Sequence, residues 1–259
     1  MIIVEVPGIH GFGKTKGGEK APSQIVDYIK CKKSCKNLRF IEINLDNDLE
    51  KNQKTIFLEA LKIFEDNEEN DEKILFIGGD HSISFSLFNA FRQVYRNPFL
   101  FDLDAHFDMM PPFKEISHEE WVQALIEQGF DPGAMVLVGA RKIYTEEKEN
   151  FKKSKIRLIK ISDFENFLEN EENFKLQDHD SVYLSLDLDV LDEKFFSATG
   201  YPVKGGLNPE QLKKILDRLF KLKNFKAMDL VEYNPERDNG KSLKIDLDIV
   251  NSIIKKEKK

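Results

Sequence analysis

The sequence predicts an α/β fold with a largely parallel central sheet of about eight strands, covered by helices on both faces. Three observations carry that prediction. Short β-rich runs alternate with amphipathic helical stretches along the chain. Runs such as ILFI and MVLV are continuously apolar rather than alternating, as strands buried on both sides are. Acidic and imidazole side chains follow directly after three of the runs, where open α/β sheets gather ligands.

Taken in order, the strands are IIVEV (2–6), LRFIEINL (38–45), KILFIGG (73–79) and PFLFDLDA (98–105). AMVLVGA (134–140), IRLIKI (156–161), SVYLSLDLDV (181–190) and FKAMDLVEY (225–233) complete the set. Each is rich in the β-branched, aromatic or aliphatic residues that suit a buried pleated surface. In TIFLEALKIF (55–64), Ile56, Leu58, Leu61 and Phe64 give a helical spacing. PEQLKKILDRLF (209–220) starts as a helix prefers, with Asn208 as N-cap and Pro209 at the first helical position. SLKIDLDIVNSIIKK forms the last helix. No linker, low-complexity tract or repeat divides the 259 residues, which predicts one domain over 1–259.

The formal charge of -7 argues against a nucleic-acid partner, which demands a basic stripe, and is compatible with a cationic small substrate. No stretch approaches the ~20 apolar residues that cross a bilayer, and MIIVEVPG lacks the basic start of a signal peptide. Cys31 and Cys35 form a lone CxxxC without further ligands nearby, so they read as ordinary thiols of a reducing, cytoplasmic compartment.

The three strand ends share one chemistry. KILFIGG runs into His81, PFLFDLDA into Asp104, His106 and Asp108, and SVYLSLDLD ends on Asp187 and Asp189. In extended backbone, residues two apart point to one face, so each group can aim at a single spot. Carboxylates crowded in this way repel one another and lose hydration unless cations neutralise them. Four carboxylates and two imidazoles with no thiolate suit a pair of Mn²⁺ ions better than a structural zinc.

GGDHS, DAHFD and SLDLDVLD resemble the three metal motifs of the ureohydrolase family, which comprises arginases, agmatinases, guanidinases and formimidoylglutamases. GGEKAP (17–22) is similar to the family's early Gly-rich loop, ATGYPVKGGL (198–207) to its substrate loop and VEYNPERD (231–238) to its late Val-Glu-x-Asn-Pro motif. The resemblance spans nearly the whole chain. It implies a three-layer α/β/α fold with two Mn²⁺ ions and a homo-oligomer, trimer or hexamer. One ion would be held by His81, Asp104, Asp108 and Asp187, the other by His106, Asp104, Asp187 and Asp189, with Asp104 and Asp187 bridging.

The reaction implied is hydrolysis of a C–N bond at a guanidine or amidine carbon, with urea released from a guanidino substrate. A metal pair lowers the pKa of water bound between the ions, which makes hydroxide available near neutral pH. By the same resemblance Asp108 carries a proton to the leaving nitrogen, Glu232 clamps the guanidinium, and His118 shuttles protons at the site mouth. Tyr201, in the substrate loop, is a candidate substrate contact. Some positions depart from the family pattern. Met110 replaces the asparagine by which arginases hold the amino-acid end, Tyr201 a common threonine, Glu119 a glycine after His118, and Glu193 a proline. These departures favour agmatine or another guanidino compound over arginine, with a formimidoylglutamase-type reaction as the alternative.

Two rivals arise in the same sequence. GIHGFGKT (8–15) satisfies G-x-x-x-x-G-K-[ST] and follows a strand, which reads as a nucleotide-binding P-loop with Lys14 and Thr15 on phosphate and Mg²⁺. That mechanism requires a helix to begin at the Lys-Thr pair, yet KGGEKAP follows, with two glycines and a proline. A non-catalytic interaction protein is the other, and nothing but chemistry requires such a protein to crowd carboxylates. His10 and His179 lie outside the ligand clusters and are read as incidental.

Overall fold

The computed structural model describes residues 1–10, 13–32, 37–46, 48–176 and 181–256. Among them an 8-stranded sheet forms from β1 (Ile2–Val6), β2 (Arg39–Glu42), β3 (Ile74–Gly78), β4 (Pro98–Leu103), β5 (Met135–Val138), β6 (Arg157–Ile159), β7 (Ser181–Asp187) and β8 (Phe225–Val231). Their spatial order is β2-β1-β3-β8-β7-β4-β5-β6, and every neighbouring pair is parallel. Parallel neighbours need long crossovers, which helices supply while covering the sheet. β3 and β5 are buried along their whole lengths, as the unbroken apolar runs ILFI and MVLV require, and so are β1 and β7.

The helices are α1 (Ala21–Lys30), α2 (Leu49–Asn67), α3 (Ile83–Val94), α4 (Trp121–Glu127), α5 (Thr145–Ser154), α6 (Phe164–Glu169), α7 (Pro209–Leu219) and α8 (Ser242–Lys256). α3 packs against both α2 and α4, α7 packs against both α6 and α8, and Tyr28 of α1 meets Asn251 of α8. An aromatic cluster ties α2 and α3 to the sheet, with Phe64 edge-on to Phe76 and Phe91, and Phe91 edge-on to Tyr183 at 5.1 Å. The start of α7 is as the sequence predicts: Asn208 and Gln211 cap each other reciprocally, with Pro209 following the cap.

Two expectations change. α2 buries Ile56, Ala60, Ile63 and Phe64, whereas Leu58 is 49% exposed. Leu58 lies two residues from Ile56, which on a helix places it on nearly the opposite side. Seven of the eight runs also end as strands sooner than read: β2 at Glu42, β3 at Gly78, β4 at Leu103, β5 at Val138, β6 at Ile159, β7 at Asp187 and β8 at Val231. The residues after these ends turn out of the sheet, and that departure builds the site.

The P-loop reading fails its structural condition. After Thr15 the chain makes turns and a 3-10 segment, Gly18–Lys20, and α1 begins only at Ala21. The Thr15 hydroxyl is buried and donates to Asp80 Oδ2 at 3.2 Å.

Candidate metal centre

The C-terminal ends of β3, β4 and β7 deliver the six predicted ligands to one buried spot. His81 Nδ1 lies 3.2 Å from Asp104 Oδ2, 3.1 Å from Asp108 Oδ2 and 3.4 Å from Asp187 Oδ2. Beside it, His106 Nδ1 lies 2.8 Å from Asp189 Oδ2 and 3.6 Å from Asp104 Oδ1. His81–Asp104–Asp187 and Asp104–His106–Asp189 each bring one ligand atom per residue within 4.8 Å of one another. Asp104 is common to both groups.

Turns, and not the extended backbone expected from the sequence, aim these side chains. Asp104 accepts from the His106 backbone N–H at 2.7 Å, and Asp187 accepts from that of Asp189 at 2.7 Å. Each aspartate thus folds the next two residues back over itself. Asp108 sits at φ 48°, in the left-handed region that few residues other than glycine enter, and Trp121 Nε1 donates to its Oδ2 at 2.9 Å. At the end of β3, Gly79 is required by close approach, since a Cβ there would stand 2.3 Å from the Gly8 carbonyl oxygen.

Electrostatics fit a pair of cations. Burial opposes charge on the His81 ring, but hydrogen bonding to Asp104, Asp108 and Asp187 outweighs it and lifts the pKa well above the ordinary histidine value. Burial pushes Asp108 and Asp187 well up, reinforced by neighbouring carboxylates. Burial also opposes ionisation of Asp104, yet hydrogen bonds from His106 and His81 hold it well below the usual carboxylate range. His81 Nδ1 and Asp104 Oδ2 are buried and lie 3.2 Å apart. Their lone pairs converge on shared space. A cluster that binds surplus protons in this way can exchange them for divalent ions, and oxygen with imidazole donors suits Mn²⁺.

Behind the ligands lies a polar row that the sequence reading overlooked. Asp102 of β4 pairs in register with Ser185 of β7, and Ser185 with Asp229 of β8. Ser185 Oγ is 2.9 Å from His81 Nε2 and donates to Asp229 Oδ1 at 2.8 Å, while Tyr183 donates to Asp229 Oδ2 at 2.7 Å. Asp102, Ser185 and Asp229 are all buried, as is Tyr183. The signal was present as an acid in mid-strand, within FLFDL and AMDLV, where an apolar residue is expected.

The other predicted residues gather around the cluster. Glu232 follows β8 at φ 69°, and its Oε1 accepts from the His81 backbone N–H at 3.0 Å. Burial, with Asp80 nearby, pushes its carboxyl up to about 8. His118 is buried ahead of α4, and its ring lies 5.3 Å from that of Tyr201. Just before it, Ser117 bonds Glu120 through its N–H and hydroxyl, and α4 starts at Trp121. Asp108, His118, Glu119, Tyr144 and Tyr201 border a small cavity beside the cluster. Glu147, also at that cavity, accepts from the backbone N–H of Met109 and of Tyr144 and so ties the loops after β4 and β5. Arg141 ties the loop after β5 to the substrate-loop candidate by donating to the carbonyls of Gly139, Asp189, Leu191, Val203 and Lys204. His10 stands apart from the ligands, its backbone N–H on Asp80 Oδ2. Cys31 is free and exposed; Cys35 and His179 lie outside the described residues. No described helix is long and apolar enough to cross a membrane.

Comparison with known proteins agrees with this geometry. The family model described as the Arginase family matches residues 1–255. The chain is 31% identical over 245 residues to an arginase of Staphylococcus aureus, covering 87% of this chain and 78% of that one. It is 31% identical over 191 residues to an arginase of Plasmodium falciparum, covering 64% of this chain and 46% of that one. The chain spans about half the length of the Plasmodium and Arabidopsis arginases that it matches. Among solved structures, a formimidoylglutamase of Bacillus subtilis superposes with a TM-score of 0.87 at 18% identity, covering 99% of this chain and 86% of that one, which shows the shared fold. With its three motif-bearing strand ends folded into one acidic and imidazole cluster, the chain belongs to the arginase family.

Proposed function

We propose that the protein hydrolyses a C–N bond of a linear, cationic guanidino compound and releases urea. His81, Asp104, Asp108 and Asp187 would hold one Mn²⁺, and Asp104, His106, Asp187 and Asp189 the other. Two bound cations supply hydroxide near neutral pH and positive charge that steadies the developing negative charge. The observation that carries the reading is the convergence of the two ligand groups on Asp104.

The chain's own residues divide the remaining work. Glu232 binds the guanidinium; its raised pKa is the cost of a buried carboxylate without a cation, and a cationic substrate restores the ionised form. Asp108, oriented by the Trp121 N–H, holds a proton and passes it to the leaving nitrogen. His118 relays protons between that position and solvent at the mouth. Met110 offers no hydrogen-bonding group for an amino-acid end, which favours agmatine or another guanidino compound lacking a carboxylate over arginine. A cytoplasmic location is supported by sparse cysteine, and trimeric or hexameric assembly by the family resemblance alone.

The test is to load the protein with Mn²⁺ and offer agmatine, arginine, other guanidino compounds and formimidoylglutamate, assaying urea, formamide and ammonia. Urea is expected. Formamide alone would mark the formimidoylglutamase-type reaction, and no product with both metals bound would refute the hydrolase reading. Asp104→Ala and Asp187→Ala should each abolish turnover and metal occupancy. Glu232→Gln should raise KM or lower kcat with the metals retained.

A further inference from the structure

We propose that Tyr201 plugs the approach to the metal centre and restricts the substrate to a compact guanidinium or amidine with at most a short substituent. The inference rests on the hydrolase reading above and narrows it, setting agmatine aside in favour of shorter guanidino compounds. Tyr201 stands in the wall of the small cavity beside the ligands, together with His118 and Tyr144. A linear tail of several methylenes running outward from the ligands would have to pass its ring. A groove of ≈ 670 Å³ between α7 and α8 includes none of the metal ligands and cannot receive the tail.

The Tyr201 ring is what fills the approach. It lies 5.3 Å from the His118 ring at an angle of 32°, and edge-on to His106 at 6.3 Å. Lys14 Nζ stands 4.6 Å from its centroid, a cation–π contact contributed by the loop after β1. The loop carrying Tyr201 is fastened on both sides. Ala198 bonds Ser242 Oγ through its N–H and Asn234 N–H through its carbonyl. Beyond Tyr201, the carbonyls of Val203 and Lys204 are held by Arg141, and the Gly205 N–H by Asp192. Such a loop does not lift away as a lid, so the ring limits the length of what reaches the ligands. A planar cation, by contrast, can lie against the ring face with its N–H groups on the Glu232 carboxylate.

Two measurements on the Mn²⁺-loaded protein test this: kcat/KM for guanidine, methylguanidine, agmatine and arginine, and calorimetric binding of guanidinium and agmatine. Wild type, Tyr201→Phe and Tyr201→Thr would be compared. We expect wild type and Tyr201→Phe to favour the compact compounds, and Tyr201→Thr to shift the agmatine-to-guanidine ratio of kcat/KM by about tenfold or more toward agmatine. Agmatine bound by wild type as tightly as guanidinium, or an unchanged ratio in Tyr201→Thr, would overturn the plug. Should no compound turn over, the hydrolase reading falls, and the binding preference of wild type still decides whether the approach is length-limited.

Discussion

Ser185 Oγ stands 2.9 Å from His81 Nε2, on the side of the imidazole turned away from Asp104, Asp108 and Asp187. A ligand histidine whose far nitrogen is held in this way has its tautomer and ring angle fixed before any ion arrives. Ser185→Ala should therefore weaken Mn²⁺ binding by ~10–100-fold, measured by equilibrium dialysis, with the far-ultraviolet circular dichroism unchanged. Unchanged affinity would mean that other contacts set the ring, the Trp121 ring at 4.8 Å among them.

Metal should stabilise the fold strongly, because the ions would discharge carboxylates and imidazoles drawn from three strand ends. At a free Mn²⁺ concentration of 100 times Kd, stabilisation of about 2.7 kcal/mol is expected, read as a rise in Tm reversed by a chelator. Asp104→Ala should lose that rise, since Asp104 belongs to both ligand groups.

Asp246 supplies a pH dependence separate from the metal centre. Its carboxyl, fully buried in α8, finds no hydrogen-bond partner among the described residues, and burial, with Asp238 nearby, pushes its pKa up to about 8. A carboxyl whose folded pKa is raised favours the folded state below the unfolded pKa, near 3.8, and loses that contribution as pH rises toward about 8. Metal-free wild type should thus lose stability across that interval relative to Asp246→Asn, as urea midpoints against pH would show. Parallel curves for the two proteins would contradict the assignment.

Arg141→Lys should free the segment 198–207, because an ammonium cannot reproduce a fork that reaches the carbonyls of five residues. Faster amide hydrogen exchange in that segment is expected, with a stability loss of about 1–3 kcal/mol from carbonyls left unpaired.

Much of this was legible in the sequence, for physical reasons that particular residues show. Runs such as ILFI and MVLV were visible because β3 and β5 are buried along their whole lengths and admit no polar side chain. The ligands were visible because they follow strand ends, the one place where a parallel sheet opens to a site. The Asp102–Ser185–Asp229 row was not, since it exists only once β4, β7 and β8 are neighbours, and strand order is a long-range property. Nor was the turn geometry at Asp104 and Asp187: a DxD pair reads equally as extended strand or as a side chain capping the next amide. Leu58 shows the opposite failure, an apolar residue counted into a stripe that the helix turns toward solvent.

In the sheet, β8 and β7 lie between β3 and β4, although they come last along the chain. A nascent polypeptide that has emerged only as far as β6 would lack the two strands that lie between β3 and β4, and with them Asp187 and Asp189. Neither candidate ion site is complete until those strands take their place, since each draws one aspartate from the end of β7. Capture of a metal would then be a late act of biosynthesis, and a ribosome-stalled fragment ending before Ser181 should emerge blind to divalent ions.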